Sequence, residues 1–151
     1  MRYIMMSEEK FKDLIEMCKN GIALNSSNVG NDRVLVDRGS FQLVIPSDNT
    51  DSHGDFFVYS LNGHDCYSYN SRSIHVYHVI YGTGKFIIDD EVVEVKEGDT
   101  ITIEPNKVFT YEGNMILTFE MTPNFSEEND HFVKKVIYNK NLNGGFYDER
   151  E

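Results

Sequence analysis

From residue 33 to residue 121 the apolar residues fall in short runs, each closed by Gly, Asn, Asp, Ser or Pro. The runs are "RVLVD" (33–37), "FQLVI" (41–45), "DFFVYSL" (55–61), "IHVYHVIYG" (74–82), "GKFIID" (84–89), "EVVEVK" (91–96), "DTITIE" (99–104), "KVFTYE" (107–112) and "MILTFEM" (115–121). They are rich in β-branched and aromatic residues, which suit a pleated, half-buried surface. Strands this short, with turn residues between them, predict an all-β sandwich or barrel. "FIIDDEVVEV" reads as a hairpin turning near Asp89, Asp90 and Glu91, and "KEGDT" as a second tight turn. Pro46, Pro105 and Pro123 fall at strand ends, where a missing N–H removes no ladder bond.

The N-terminus has a different period. Ser7 is placed to cap a helix, Glu8 and Glu9 follow in its first turn, and Phe11, Leu14, Ile15 and Cys18 recur at helical spacing. Gly21 is placed to end it. The reading is an amphipathic helix over 8–19 that lids a core. The chain thus divides into an N-terminal helical segment (1–21), a barrel domain (22–138) and a loosely ordered C-terminal tail (139–151), with 45–55 as a mobile loop.

Two of the five histidines, His75 and His78, stand three residues apart in one predicted strand. Side chains alternate across a strand, so His75, Tyr77 and Val79 share one face, and Val76, His78 and Ile80 share the other. The pair therefore cannot chelate one ion. By the same alternation Phe109 and Tyr111 share a face.

Charge narrows the function classes. The 151 residues carry 25 acids against 14 bases, a formal net charge of -11. Such a chain lacks the basic stripe that nucleic acid requires and is repelled by anionic membranes. Two cysteines, Cys18 and Cys66, make no disulfide framework and no zinc spacing. The start "MRYIMMSEEK" lacks the long apolar core of a signal peptide, and no run is long enough to span a membrane. A cytoplasmic protein is expected.

The stretch from Gly63 to Gly113 resembles the cupin family. Gly63 and Gly82 match the glycines of its first motif, which runs from Gly through His-x-His and Glu to Gly. Gly98, in "GDTITIEP", matches the opening of the second, and "VIYGTG" and "IIDDEVVEVKEGD" resemble the strand end and hairpin between the two motifs. The resemblance implies a double-stranded β-helix, or jelly-roll barrel. It also implies a divalent metal held by two histidines, a glutamate and a third histidine. Here those positions carry Tyr69, Ser71, His75 and Phe109, and the second motif's Pro-x-Gly is replaced by Glu104, Pro105 and Asn106. One imidazole does not make a transition-metal site.

The expectation is a metal-free cupin-like barrel that binds a small polar ligand, such as a saccharide or sugar derivative. Tyr69, Ser71, His75, Tyr77, Phe109 and Tyr111 would line it. His75 would be the polar anchor, and a general acid or base if there is catalysis, since imidazole titrates near neutrality. Core filling is the plain structural account of the aromatics. The alternatives are a cupin isomerase, epimerase or lyase using His75, a metal enzyme completed by loop histidines His53 or His64, and a structural dimer with a filled barrel. Glu120 joins the lumen only if its parity points inward. A homodimer is expected from the family's habit of pairing and from the liability of an open sheet edge.

Overall fold

In the computed structural model the described residues are 16, 36–37, 42–46, 50–138 and 146–149. They form eleven strands: β1 (Val36–Asp37), β2 (Gln42–Pro46), β3 (Gly54–Ser60), β4 (Cys66–Asn70), β5 (Ile74–Ile88), β6 (Glu91–Lys96), β7 (Thr100–Ile103), β8 (Phe109–Glu112), β9 (Met115–Thr122), β10 (Asp130–Tyr138) and β11 (Phe146–Glu149). All paired strands are antiparallel, in the order β1-β2-β3-β9-β5-β8-β4-β10-β11, with β6 and β7 also on β5. The sheet curls into a jelly-roll β fold. The predicted helix 8–19, with Cys18, lies outside the described residues except for Glu16, which is helical.

The spine is β5. The sequence predicts two strands separated by Gly82 and Gly84, yet the structure has one strand of 15 residues. Its first half pairs with β9 and β7, and its second half with β6 and β8. Between the halves it passes a bulge at Val79–Tyr81 and then crosses the β8–β9 turn. That crossing needs glycine. A Cβ on Gly82, whose φ is +91°, would lie 2.3 Å from the Asn114 carbonyl oxygen, and one on Gly84 would lie 2.3 Å from that of Glu112. Gly113, at φ +130°, faces Gly84 from the other chain segment. The glycines read as strand ends are where one strand passes from one sheet to the other.

The β5–β6 hairpin turns on Asp89 and Asp90, both at positive φ, as a two-residue loop matched to strand twist requires. The "KEGDT" turn is closed by Asp99, whose carboxylate accepts the Lys96 backbone N–H at 2.9 Å. Alternation on β5 is as read: His75, Tyr77 and Val79 are buried, and Val76, His78 and Ile80 are partly exposed. Tyr77, Val79, Phe86, Phe109, Tyr111, Leu117 and Phe119 belong to one continuous core.

Three strands escaped the sequence reading. β4 is "CYSYN", with too few apolar residues to signal a strand, and β10 begins at Asp130, the last residue of the charged "SEEND". The tail read as loosely ordered contains β11, which pairs with β10 from Lys135↔Glu149 to Tyr138↔Phe146.

Gly82 and Gly98 separate backbone strain from crowding. Both have φ near +90°, but a Cβ on Gly98 meets nothing within 4 Å. Gly98→Ala should cost about 1–2 kcal/mol from left-handed backbone alone. Gly82→Ala should add about 1–3 kcal/mol of overpacking against a carbonyl that cannot move aside. Urea denaturation of both variants checks this, and equal losses would mean that the crossing is not tightly built.

Candidate functional site

The inner faces of the curled sheet enclose a cavity of about 250 Å³. β5 contributes His75 and Tyr77, β8 contributes Phe109 and Tyr111, and β9 contributes Phe119 and Met121. Cys66, Ser68 and Asn70 come from β4 at period two, and Gln42, Val44 and Phe56 complete the wall. Phe125 and the exposed Asp130 also border it.

Aromatic rings form most of this wall. Phe119 stacks on Phe56 at 4.6 Å and on Tyr77 at 4.8 Å, while Phe86 and Tyr111 approach Tyr77 edge-on at 5.1 and 5.5 Å. Tyr111 donates its hydroxyl hydrogen bond to Gln42 Oε1, and Tyr77 shares a side-chain hydrogen bond with Tyr111. Burial, then the nearby Asp130 and Cys66, hold the Tyr77 phenol well above its usual range, so it keeps its proton.

His75 is 8% exposed, and its ring sits edge-on to Phe109 at 5.4 Å and parallel to Tyr77 at 6.2 Å. Neither ring nitrogen hydrogen-bonds a described residue. Burial, reinforced by the charge of neighbouring His64, lowers its pKa from 6.5 to about 4. The near-neutral titration expected of it does not occur: desolvation disfavours the imidazolium, so His75 is a neutral hydrogen-bonding group at physiological pH.

Asn70 was absent from the sequence reading. It is 3% exposed, and its Oδ1 accepts the backbone N–H groups of Arg72 at 2.9 Å and Ser73 at 2.7 Å. Those two bonds fix which end of the amide is oxygen. The Nδ2 is then turned the other way, and it is buried with no hydrogen-bond partner. A buried donor left unpaired costs about 1–3 kcal/mol. The available signal was the alternation of small polar residues in "CYSYN", a strand facing space rather than a packed core.

The other expected residues divide. Tyr77, Phe109 and Tyr111 line the cavity, and Tyr69 borders it with its ring stacked on His131 at 4.7 Å. Ser71 does not: β4 ends at Asn70, and the Ser71 hydroxyl donates to the Asn129 carbonyl at 3.3 Å. His64 lines the cavity, its Nδ1–H donating to the Cys66 carbonyl at 2.6 Å. Half-buried Cys66 has its Sγ 3.8 Å from the same nitrogen. His53 stays away from the cavity, and Glu120 points outward. At the positions where cupins hold a divalent ion, Phe109 has no donor, Ser71 is turned away and Tyr69 is stacked. His75 alone is left, and this donor set does not fit the metal.

No protein-family model matches the chain, and no curated protein sequence matches it. Solved structures do. Pac13, described as a nucleoside dehydratase, superposes with a TM-score of 0.63 at 25% identity, over 68% of this chain and 86% of its own. A variant of Streptomyces Pac13 with uridine gives 0.64 at 24%, over 69% and 88%. An RmlC-like cupin from Shewanella frigidimarina gives 0.57 at 16%, over 66% and 91%. The chain has the cupin superfamily fold. Among the described residues no helix is long and apolar enough to cross a membrane.

His75 also sets a pH dependence. In the unfolded chain the imidazole titrates near 6.5, and in the folded chain near 4. Between those values the unfolded state binds more protons, so stability rises with pH across the window. The contribution is complete above about pH 6.5 and is lost as pH falls through 4, about 3 kcal/mol in all. His75→Gln should lose this part of the acid sensitivity, read from urea melts at pH 7.5, 5.5 and 4. Parallel curves for the two proteins would show that His75 is not buried as described.

Proposed function

We propose that the barrel binds a small, uncharged, sugar-bearing molecule without a metal in the lumen, and that a nucleoside is the class to test first. The observation that carries this reading is the Asn70 amide, buried in the cavity wall with its Nδ2 unpaired. An acceptor on the ligand would remove that cost. His75 adds a neutral imidazole a few residues along, and the rings of Phe56, Tyr77, Phe109 and Phe119 offer flat apolar surface. A cleft lined mainly by aromatics with a few fixed polar groups is the usual form of a small-molecule site. No lysine or arginine lines it among the described residues, so a phosphate would be desolvated without a counter-charge. The uridine held by the Pac13 variant supports the choice of nucleosides.

A catalytic reading has one observation in its favour, that Pac13 is described as a nucleoside dehydratase. In this chain the depressed pKa of His75 makes it a weak base. Binding is therefore the leading reading, and turnover of a bound nucleoside is a separate assay.

Uridine, other nucleosides and neutral monosaccharides should be screened by thermal shift and each hit followed by calorimetry. His75→Ala or Asn70→Asp should weaken binding by about ten- to a hundred-fold, the equivalent of one unpaired buried polar group. Asn70→Asp keeps an oxygen to hold Arg72 and Ser73 and replaces the Nδ2 donor with a carboxylate oxygen, which repels a ligand acceptor. Ser71→Ala should bind as the wild type does. A nucleoside 5′-monophosphate should bind at least tenfold more weakly than its nucleoside. If none of these compounds shifts the melting temperature, the lumen is a structural core and the proposal fails.

A further inference from the structure

The outer face of the same sheet holds a second cluster, unrelated to the lumen. β9 lies between β3 and β5, and Asp55 on β3 is the direct cross-strand partner of Glu120 on β9. Two carboxylates in that position repel. His53, just before β3, places its Nε2 2.9 Å from Asp55 Oδ1 and 3.6 Å from Glu120 Oε1. His78, diagonal to Glu120 on β5, brings its Nε2 to 3.4 Å from Glu120 Oε2. Asp55 is buried, and Glu120 and His78 are partly buried. Each imidazole has its other nitrogen beside a threonine hydroxyl: His53 Nδ1 lies 3.1 Å from Thr122 Oγ1, and His78 Nδ1 lies 3.1 Å from Thr100 Oγ1.

We propose that His53, Asp55 and Glu120, with His78 as the fourth donor, form a zinc-binding site on the outer face of the β3–β9–β5 sheet. The donor spacing suits the ion. Tetrahedral zinc with bonds of about 2.0–2.2 Å sets its ligand atoms roughly 3.3 Å apart. The ligand atoms of His53, Asp55 and Glu120 all lie within 4.8 Å of one another. The donor types suit it as well. Two imidazoles and two carboxylates select a zinc-like ion over magnesium or calcium, which take oxygen. A hydroxyl that accepts the Nδ1 proton turns Nε2 toward the metal, the arrangement that orients metal-binding histidines. One divalent cation also neutralises both facing carboxylates. The expectation of a protein without a transition metal rested on the lumen positions Tyr69, Ser71, His75 and Phe109, and this proposal departs from it with a cluster on the other face, from strands distant in sequence. Bound there, zinc would tie β3, β9 and β5 together.

The test is a zinc titration of tag-free protein by calorimetry, with the melting temperature followed in parallel. One equivalent should bind, and the melting temperature should rise with zinc concentration, as binding to the folded state requires. His53→Gln and Glu120→Gln should each weaken binding at least tenfold, and the partly exposed His78→Gln should weaken it less. Cobalt should give the visible absorption of a low-coordinate nitrogen–oxygen site, and the double variant His53→Gln/Glu120→Gln should lose it. The competing cluster, His64, Asp65 and Cys66, sits at the cavity wall. Affinity that falls with His64→Gln and not with His53→Gln would overturn the proposal. So would the absence of saturable binding and of any thermal shift in the wild-type protein.

Discussion

The structure depends on two backbones meeting where side chains would keep them apart. β5 must belong to both sheets for the curl to form, and it changes sheets at Gly82–Gly84 against Gly113. A methyl group on Gly82 or Gly84 would collide with a carbonyl oxygen. Such contacts are relieved only by moving backbone, which would disturb the ladders on both sides. The bulge at Val79–Tyr81 belongs to the same device, because it bends β5 just before the crossing. The cavity follows from this geometry: the half of β5 before the crossing carries His75 and Tyr77, and the half after it carries Phe86 opposite Tyr111.

One strand thereby supplies two chemistries. His75 and His78 are three residues apart, yet they face environments of opposite character. Inside, the opposing groups are mostly rings and neutral amides, and the charge that acts on His75 is that of another histidine. Burial disfavours protonation there, so the imidazole stays neutral. Outside, His78 meets the Glu120 carboxylate. Strand alternation alone separates a buried, neutral imidazole from a member of a charged cluster.

Much of this was legible in the sequence. The strand runs, the Asp89–Asp90 hairpin and the faces of His75 and His78 follow from period and turn chemistry, which are local. What was missed was not local. β4 carried no apolar pattern because its inward residues, Cys66, Ser68 and Asn70, face a cavity instead of a core. Gly82 and Gly84 read as stops because glycine marks both strand ends and close backbone approach, and sequence does not distinguish them. Ser71 was misplaced because a motif position was carried past the end of β4. The pairing of Asp55 with Glu120 required the register between residues 65 positions apart in the chain, which no local signal encodes.

The lumen wall offers fixed direction in place of fixed charge. A metal ion orients a ligand by charge and coordination, and the side chains at the family's positions here do not fit one. Asn70 is itself held by constraint. Two backbone N–H groups hold its oxygen, so the Nδ2 cannot turn away to relieve its own desolvation. The folded protein bears that cost, beside a wall in which Phe86, Tyr111 and Phe119 pack around Tyr77. A donor already fixed in position is what the proposed binding reading requires, because little would then be spent on ordering the site. Charged groups are disfavoured by the same dry surroundings that keep His75 neutral.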